Sequence, residues 1–462
     1  MEQERQKILY DLIILGGGPA GYFAAERAAD AGFHVLLIEE RSLGGVCLNE
    51  GCIPTKSLLY TAKLANSARH GGDYGVYAEN VRLDHTKALE RKNRVVQKLV
   101  GGVAASLKQK NISAIRSHGV IKGRTENGFA VETGGETYEG ARLLVCTGSE
   151  TIIPPIEGVD HSLKSGFALT SREILDIDSI PAKLVICGGG VIGLEFANYF
   201  ASAGSEVTVV EMLPEVGGAV DADVAKTLRM NLERLGVRFM LDTRLTGMAS
   251  GAVSVVHTGR EETVHADKTL LSIGRRPRIE GVGFETLDLY FEKGAVVTDA
   301  HMRTSVPGVW AAGDVNGKSM LAHTAYREAA VAVNDMAGVK DAMRYDAIPQ
   351  IIYTSPEAAG VGETEATATA KGYVFDKAVA PLVYSGRYVA ENVFGDGFAK
   401  VLAEKRTGRI LGFHIIGTYA SEIILAAAVL VGGKWTKESA GRLVYPHPTV
   451  GEIIRDALLE LN

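Results

Sequence analysis

The sequence predicts an α/β fold made of two similar βαβ units followed by a C-terminal α+β domain. Three observations support this prediction. An apolar run, a glycine-rich turn and an alanine-rich segment occur in that order twice within the 462 residues. The 54 glycines exceed the usual share, and many lie in short turns. From about Tyr345 the pattern changes to short alternating strands, and a chain of this length is expected to form about three domains.

Both βαβ units follow the same order of elements. Each begins with an apolar run typical of a buried parallel strand, passes through a glycine-rich turn into a helix, and ends in a second apolar strand. The strands are expected at residues 12–15, 35–39, 184–187 and 207–211, with helices to about Ala31 and through Ala203. Glycine spacing alone is weak evidence, but a glycine turn between two such strands is typical of dinucleotide sites.

The first turn, residues 16–21, carries residue types that suit a bound dinucleotide. Gly16 allows the tight turn, Gly18 lets the backbone approach a pyrophosphate, and Gly21 permits close packing of helix against strand. Glu39 ends the second strand, where its carboxylate can accept hydrogen bonds from a ribose. The first unit is therefore predicted to bind a dinucleotide.

The second turn repeats this pattern with Gly188, Gly190 and Gly193, and Glu211 ends its second strand. Each unit can hold one adenine dinucleotide. The simplest interpretation is a flavin in one unit and a nicotinamide in the other, a pair that can pass hydride. The alternative is a second copy kept only for packing, which the intact glycines and acid disfavour.

Three further segments indicate how the chain moves between domains. Residues 143–149 form a strand that precedes Ile153-Pro154-Pro155, a sequence typical of a linker, and residues 269–277 repeat the strand pattern after the second unit. The chain is therefore expected to cross to a second domain and return. Asp314 ends a later strand, where a carboxylate can hold a ligand at the sheet edge or cap the next helix.

The C-terminal region is predicted to be α+β. Residues 348–353, 398–402 and 410–416 are typical of antiparallel strands, and residues 422–432 of a helix that is apolar nearly all round. Such a helix needs cover, either from its own sheet or from another subunit.

Two cysteines, Cys47 and Cys52, lie just ahead of a helical run at residues 56–68. Amide N–H groups and the helix dipole stabilise a thiolate near a helix N-terminus, which suits a redox-active pair. An inert pair of buried thiols is the main alternative. A metal site is disfavoured because such sites usually have closer cysteines and two more Cys or His ligands nearby.

His447 stands between Pro446 and Pro448 near the end of the chain, so its backbone has little freedom. Glu452, five residues later, can orient the imidazole for acid–base chemistry. A purely structural histidine remains the alternative.

Composition excludes several classes of protein. The net charge is −6 with both signs dispersed, which argues against nucleic acid or an anionic membrane as a partner. No apolar run approaches a bilayer span, the richest being residues 423–431. The charged segment at residues 1–7 resembles no secretory or transit signal, and four cysteines are too few for a disulfide-stapled secreted fold. A cytoplasmic location is expected.

Together these motifs resemble the flavin-dependent pyridine nucleotide–disulfide oxidoreductases, and most closely those that oxidise dihydrolipoamide. The resemblance rests on the two glycine turns, on Gly44 to Lys56, on Ala312-Gly313-Asp314 and on His447-Pro448-Thr449 with Glu452, and it covers nearly the whole chain. It implies two Rossmann-like dinucleotide-binding domains, one for FAD and one for NAD, and a C-terminal α+β dimerisation domain. The expected boundaries are residues 1–149 with 272–344 for FAD, 150–271 for NAD and 345–462 for dimerisation.

The resemblance also implies residue roles. Cys47 and Cys52 would form the active disulfide, and Lys56 would lie against the flavin and pair with Glu195. The residues assigned to FAD are Gly16, Gly18, Gly21, Glu39, Lys56, Gly119, Thr147, Gly148, Asp314 and Ala322. The residues assigned to NAD are Gly188, Gly190, Gly193, Glu211 and Gly274.

His447 and Glu452 match the family's acid–base pair, which serves the active site of the opposite subunit. Three positions depart from the common pattern: Val46 where many relatives carry Thr, Cys146 where Ala is commoner, and Tyr445 where a second His is often found. These departures bear on flavin potential and proton handling, but every transferred catalytic residue is present.

The implied reaction is oxidation of protein-bound dihydrolipoamide to lipoamide through the Cys47–Cys52 disulfide and FAD, with hydride passed to NAD⁺. Reductases of glutathione or other small disulfides share the scaffold, but Ile53-Pro54-Thr55-Lys56 favours the lipoamide type. A mercuric reductase is disfavoured because a C-terminal cysteine pair is missing. A structural subunit of a multienzyme complex is a further alternative. The expected partners are a second copy of the chain and a lipoyl-bearing protein of a 2-oxo acid dehydrogenase complex or glycine cleavage system.

The first testable prediction concerns the nicotinamide. Glu211 is followed by Met212-Leu213-Pro214, so a carboxylate faces the ribose and no nearby Arg in the sequence can receive a 2′-phosphate. NAD should be preferred over NADP in steady-state kcat/KM, and Glu211→Arg should relax or reverse the preference. Comparable kcat/KM for the two nucleotides in the unmodified protein would contradict this prediction.

Overall fold

The structure is a computed structural model that describes residues 9–393 and 395–461. The charged segment at residues 1–7, on which the expectation about signals rested, lies outside the described residues. The chain divides into two compact units. The first contains Met1–Pro54, Glu90–Ile152 and Gly274–Arg344, and the second contains Thr55–Leu89, Ile153–Ile273 and Tyr345–Asn462.

The first unit is built on a five-stranded parallel sheet. Its strands, in spatial order, are Val309–Ala311, Leu143–Val145, Leu12–Leu15, Val35–Glu39 and Ser113–Arg116. Residues 12–15 and 143–145 are buried along their whole length, as expected for central parallel strands. Helix Pro19–Asp30 joins strand Leu12–Leu15 to strand Val35–Glu39, so the predicted βαβ unit is present with nearly the predicted bounds.

Smaller elements complete the first unit. A four-stranded sheet has the order Leu9–Tyr10, Glu136–Gly140, Gly128–Thr133 and Gly119–Thr125. Two-stranded sheets pair Ser149–Thr151 with Arg275–Pro277 and Phe291–Glu292 with Ala295–Val296. This unit also contains helices Gly45–Glu50 and Ala322–Met336 and the 3₁₀ turns Phe284–Thr286 and Asp314–Asn316. The three strands between residues 119 and 140 were not predicted from the sequence.

The second unit contains a second five-stranded parallel sheet. Its strands, in spatial order, are Ala168–Leu169, Lys268–Leu271, Lys183–Cys187, Glu206–Val210 and Arg238–Met240. Its helices are Val159–Lys164, Val191–Ala203 and Ala222–Arg234, with the 3₁₀ turn Glu173–Asp176. A three-stranded antiparallel sheet is formed by Thr243–Ala249, Ala252–His257 and Arg260–His265. The second predicted βαβ unit is therefore also present.

The C-terminal part of the second unit is an antiparallel sheet with helices, as predicted. Its strands, in spatial order, are Gln350–Ile352, Glu357–Gly362, Ile410–Gly417, Phe398–Glu404 and Phe375–Pro381. Its helices are Glu365–Ala370, Gly386–Glu391, Ala420–Gly432, Lys437–Gly441 and Ile453–Leu459, with 3₁₀ turns Leu382–Tyr384 and Val450–Glu452.

Two long helices, Cys52–Arg69 and His85–Gln109, contain unit boundaries, and the 3₁₀ turn Gly71–Tyr74 lies between them. Residues 55–89 belong to the second unit, whereas the sequence analysis placed them with residues 1–149. The reason is their core: Leu58 and Leu59 are buried in the same apolar cluster as residues of the second βαβ unit. The other boundaries, after residues 152, 273 and 344, lie within three residues of the expected ones. The division into three domains stays a prediction.

Helix Ala420–Gly432 is covered on one face. Ile424, Ala427 and Leu430 are buried in the core beneath the antiparallel sheet. Leu425 and Val429, one turn apart, are 66% and 58% exposed. The protein's own sheet therefore covers only part of this apolar helix. Within residues 9–393 and 395–461, no helix has both the length and the apolar content needed to cross a bilayer.

A buried ion cluster ties the second βαβ unit to the antiparallel sheet. Lys400 is 1% exposed, and its Nζ lies 3.0 and 3.1 Å from the carboxylate oxygens of Asp221 and 2.7 Å from Asp223. It also pairs with Glu365. Asp221 caps helix Ala222–Arg234 by accepting from the amide of Asp223. Burial opposes the charge of Lys400, but the carboxylates outweigh it and raise the pKa of Lys400 above its usual value.

This cluster gives the second testable prediction. Lys400→Met leaves the Asp221 carboxylate buried without its cation and should lower the free energy of unfolding by roughly 3–5 kcal/mol at neutral pH, measured by urea unfolding. Adding Asp221→Asn should recover part of the loss, because the buried charge is then removed.

The matched control is Lys377→Met. Lys377 pairs with the same Glu365, but its side chain is 51% exposed, so the change should cost about 0–1 kcal/mol. Equal unfolding free energies for the Lys400→Met and Lys377→Met variants would contradict the prediction.

Candidate active site

The first glycine turn brings strand, turn and helix into close contact. Gly16 has a φ of 102°, and a Cβ there would lie 2.1 Å from the carbonyl oxygen of Cys146. A Cβ on Gly21 would lie 1.7 Å from the carbonyl oxygen of Gly16. Gly18 is the N-cap of helix Pro19–Asp30. Exposed amides at such a helix start attract phosphate, so the turn fits the pyrophosphate of a dinucleotide.

Glu39 is held by the backbone around it. Its Oε2 accepts from the amide of Gly17 at 2.6 Å, and its Oε1 accepts from the amides of Arg41 and Ser42 at 2.7 and 3.1 Å. Oε1 already accepts two hydrogen bonds, whereas Oε2 accepts one and keeps a second acceptor position for a ribose hydroxyl. The carboxylate is thus fixed beside the glycine turn, where the sequence analysis placed it.

The second glycine turn repeats this geometry. Gly188 has a φ of 111°, and a Cβ there would lie 2.4 Å from the carbonyl oxygen of Ser272. A Cβ on Gly193 would lie 2.0 Å from the carbonyl oxygen of Gly188, and Gly190 caps helix Val191–Ala203. Glu211 Oε2 accepts from the turn amide of residue 189 at 2.6 Å, as Glu39 does in the first unit. Both turns therefore fit a dinucleotide by the same criteria.

Asp314 follows the edge strand of the first sheet, and its side chain is half-buried. Its Oδ2 accepts from the hydroxyl of Ser149 at 2.5 Å, and Arg275 donates to the Oγ and carbonyl oxygen of Ser149 at 2.8 and 2.7 Å. Burial raises the pKa of Asp314, and Ser149 and Arg275 oppose that shift. The capping alternative is not seen, because Gly313 is the N-cap of the 3₁₀ turn.

The other predicted dinucleotide residues are placed as follows. Gly119 begins a strand of the four-stranded sheet, and a Cβ there would meet Leu15 at 2.8 Å. Thr147 donates to the carbonyl oxygen of residue 278 at 2.8 Å, and Gly148 has a φ of 72°. Ala322 is the first residue of helix Ala322–Met336. Gly274, predicted for NAD, lies in the first unit and has a φ of 127°.

The two cysteines lie on consecutive helices. The helix predicted over residues 56–68 begins earlier, at Cys52, so Cys52 lies at a helix N-terminus as predicted. Cys47 lies within helix Gly45–Glu50, which was not predicted. Both side chains are half-buried thiols, and the disulfide form stays a prediction. The amide of Gly44 donates to the carbonyl oxygen of Gly17 at 2.8 Å, so the cysteine segment is joined to the first glycine turn.

Lys56 and Glu195 form an ion pair within the second unit. Lys56 Nζ lies 2.9 and 2.8 Å from the two carboxylate oxygens of Glu195, whose side chain is 4% exposed. The amide of Tyr353 donates to Glu195 at 3.0 Å, and its ring centroid lies 4.5 Å from Lys56 Nζ. Tyr353 therefore fixes both partners. From the sequence, Tyr353 was predicted only as a strand residue. Its contact with Glu195 joins residues 158 positions apart, so no local sequence pattern indicates it.

His447 is oriented by Glu452. Its Nδ1 lies 3.0 Å from both carboxylate oxygens, and the amide of Thr449 donates to Glu452 at 3.0 Å. The Thr449 amide lowers the pKa of Glu452, burial opposes this, and His447 adds to the lowering. A carboxylate that accepts the Nδ1 proton leaves Nε2 as the basic nitrogen of the neutral ring. The imidazole is 75% exposed, so this base faces outward.

Comparison with known proteins identifies the family. Residues 10–329 match a family model described as "Pyridine nucleotide-disulphide oxidoreductase". Residues 348–458 match the dimerisation domain of the same family. The chain belongs to the pyridine nucleotide–disulphide oxidoreductases. The predicted family and fold class are confirmed, and with them the flavin-dependent oxidoreductase class and the cofactors FAD and NAD.

Individual relatives are similar over the whole chain. A dihydrolipoyl dehydrogenase of Cupriavidus necator is 35% identical and covers 98% of both chains, and one of Mycoplasma pneumoniae is 37% identical and covers 97% of both. The crystal structure of LpdA from Mycobacterium tuberculosis has a TM-score of 0.87 and 26% identity, and covers 97% of this chain and 98% of its own. The dimerisation-domain match supports a homodimer.

Proposed function

We propose that this family member is a dihydrolipoyl dehydrogenase, which oxidises protein-bound dihydrolipoamide and passes hydride to NAD⁺. The observation that carries the proposal is the His447–Glu452 pair, because a base fixed at 3.0 Å from its orienting carboxylate suits deprotonation of a dithiol. Relatives with this name match the chain nearly end to end. The residue roles that follow are part of the proposal.

In the proposed half-reaction, the disulfide between Cys47 and Cys52 is the oxidant. His447 takes a proton from one substrate thiol, and the thiolate attacks Sγ of Cys47. The Cys47–Cys52 bond breaks, and Cys52 leaves as a thiolate. The second substrate thiol then attacks the substrate sulfur of the mixed disulfide, and its proton passes to the departing Cys47 sulfur, which releases cyclic lipoamide and the Cys47 thiol. Two electrons have then passed to the cysteine pair.

FAD, when bound, would supply the two-electron chemistry that links the reduced cysteine pair to NAD⁺. Gly18, Glu39 and Asp314 are the residues proposed to hold it, and Gly190 and Glu211 those proposed to hold NAD. Lys56, fixed by Glu195, is proposed to stabilise negative charge at the flavin.

We further propose a lipoyl-bearing protein of a 2-oxo acid dehydrogenase complex or glycine cleavage system as the partner, and a cytoplasmic location. The relatives' name supports the lipoyl substrate, and the low cysteine count supports the location.

The substrate assignment is tested by steady-state assays of the purified protein with dihydrolipoamide, glutathione disulfide and each nicotinamide nucleotide. Turnover with dihydrolipoamide and NAD⁺ is expected. Turnover with glutathione disulfide and NADPH, but not with dihydrolipoamide, would replace the proposal with a small-disulfide reductase. A colourless protein that binds no flavin would remove it altogether.

The third testable prediction separates the cysteines. Cys47→Ser should keep the Cys52 thiolate and therefore a long-wavelength charge-transfer absorbance band, whereas Cys52→Ser should abolish the band. Both variants should lose dithiol oxidation. If the Cys52→Ser protein kept the band unchanged, the two roles would have to be exchanged.

The fourth testable prediction is that each active site combines residues of two subunits. The exposed Leu425 and Val429 give helix Ala420–Gly432 an apolar face for a symmetric partner, in the segment that matches the dimerisation domain. Cys47→Ser and His447→Gln proteins should each be nearly inactive. After dissociation and mixing, a hybrid dimer would hold both lesions in one site and leave the other site intact, so activity should reappear.

Random pairing of equal amounts should restore about a quarter of the unmodified activity, because half of the dimers are hybrids with one working site each. The control is the same mixture without dissociation, which should stay inactive. If His447 served its own chain, every hybrid site would carry one lesion and mixing would restore nothing.

A further inference from the structure

A bidentate ion pair in the first unit joins two segments that are 238 positions apart. The guanidinium of Arg278 donates to both carboxylate oxygens of Glu40, with Nη2 at 2.8 Å from Oε2. The two side chains are 33% and 25% exposed. Arg278 lowers the pKa of Glu40 to about 2, burial opposes the shift, and His118 adds to it. The pair is therefore ionised throughout the neutral range.

His118 binds the same carboxylate. Its Nδ1 lies 2.9 Å from Glu40 Oε2, and its Nε2 lies 2.8 Å from the carbonyl oxygen of Gly281. Glu40, Arg278 and His118 are called the Glu40 cluster below. None of the three was singled out by the sequence analysis, and none takes part in the proposed chemistry.

Each member of the Glu40 cluster adjoins a segment assigned to FAD. Glu40 follows Glu39, and His118 precedes Gly119. The backbone amide of Arg278 donates to the carbonyl oxygen of Gly148 at 2.9 Å, and its carbonyl oxygen accepts from Thr147 Oγ1 at 2.8 Å. The cluster therefore connects three segments assigned to FAD. These are the strand end at Glu39, the Thr147–Gly148 turn and the strand start at Gly119.

We propose that the Glu40 cluster sets the affinity for FAD by holding these three segments in their binding positions. Glu40, Arg278 and His118 are positioning residues, since they act on the backbone beside the cofactor and not on the reacting sulfurs. A cofactor binds more tightly when its loops are already ordered, because less conformational entropy is lost on binding. The inference rests on the assignment of FAD to the first unit in the proposed function.

The Glu40 cluster is distinct from the pair formed by Ser149 and Arg275. Arg275 donates to Ser149, and Ser149 donates to the carboxylate of Asp314, which is itself assigned to the cofactor. Arg278 instead bonds the 147–148 turn through its backbone and Glu40 through its side chain. Changing only the Arg278 side chain therefore leaves the backbone bonds available and removes the tie to Glu40.

The test compares FAD binding by apoprotein variants Arg278→Gln, Glu40→Gln and the double variant. Flavin fluorescence during titration gives the dissociation constant, and dilution of the loaded protein gives the release rate. Each single change should weaken FAD binding about tenfold, as expected for loss of charge-assisted hydrogen bonds. The double variant should bind no more weakly than the weaker single variant, because both remove the same interaction. KM for dihydrolipoamide at saturating FAD should not change.

Two controls separate positioning from general stability. Arg303→Gln removes another bidentate pair of the first unit, in which Arg303 donates to Asp335 at 2.7 and 2.6 Å, and should leave FAD affinity unchanged. Arg278→Lys keeps the positive charge but loses the guanidinium that can bond both carboxylate oxygens. Its FAD affinity should lie between those of the unmodified protein and Arg278→Gln. The melting temperature of each apoprotein is measured alongside.

Equal FAD affinities in the unmodified, Arg278→Gln and Glu40→Gln proteins would overturn the inference and leave the proposed function intact. An equal loss in Arg303→Gln, or a loss that follows the apoprotein melting temperature across all variants, would also overturn it. Failure of the unmodified protein to bind FAD would remove the proposed function, and the inference with it.

Discussion

The close approach of a strand, a turn and a helix is the constraint on which both dinucleotide-binding units depend. At Gly16 and Gly188 the backbone takes a positive φ, and a Cβ at either residue would overlap a carbonyl oxygen of the neighbouring strand-end segment. At Gly21 and Gly193 a Cβ would overlap the turn itself. Only glycine fits these four positions. The close packing of turn and helix in both units depends on the absence of side chains at these four positions.

The terminal acid of each unit completes this geometry. Glu39 and Glu211 each accept from the amide of the residue after the first glycine of their turn, at 2.6 Å in both units. The carboxylate thus ties the end of the second strand to the turn. A group whose position is already fixed loses little freedom on binding, which suits an acceptor for ribose hydroxyls.

Charged side chains join segments that the parallel sheets alone leave separate. Lys400 connects the antiparallel sheet to the N-cap of helix Ala222–Arg234, and Arg278 connects two segments at the first sheet. In each cluster the least exposed charged group has an oppositely charged partner, which offsets the cost of its burial. The His447–Glu452 pair differs, since its carboxylate is buried while its imidazole is exposed and available for proton transfer.

The sequence by itself determined the features whose parts lie close together along the chain. Both βαβ units, the position of Cys52 near a helix N-terminus and the His447–Glu452 pair were predicted. Each depends on residues that lie a few positions apart or within one βαβ unit. Only the tertiary structure decided the membership of residues 55–89, the contact of Tyr353 with Glu195, and the pairing of Glu40 with Arg278. Contacts over 158 and 238 positions depend on how whole sheets fold together, and they leave no pattern in the local sequence.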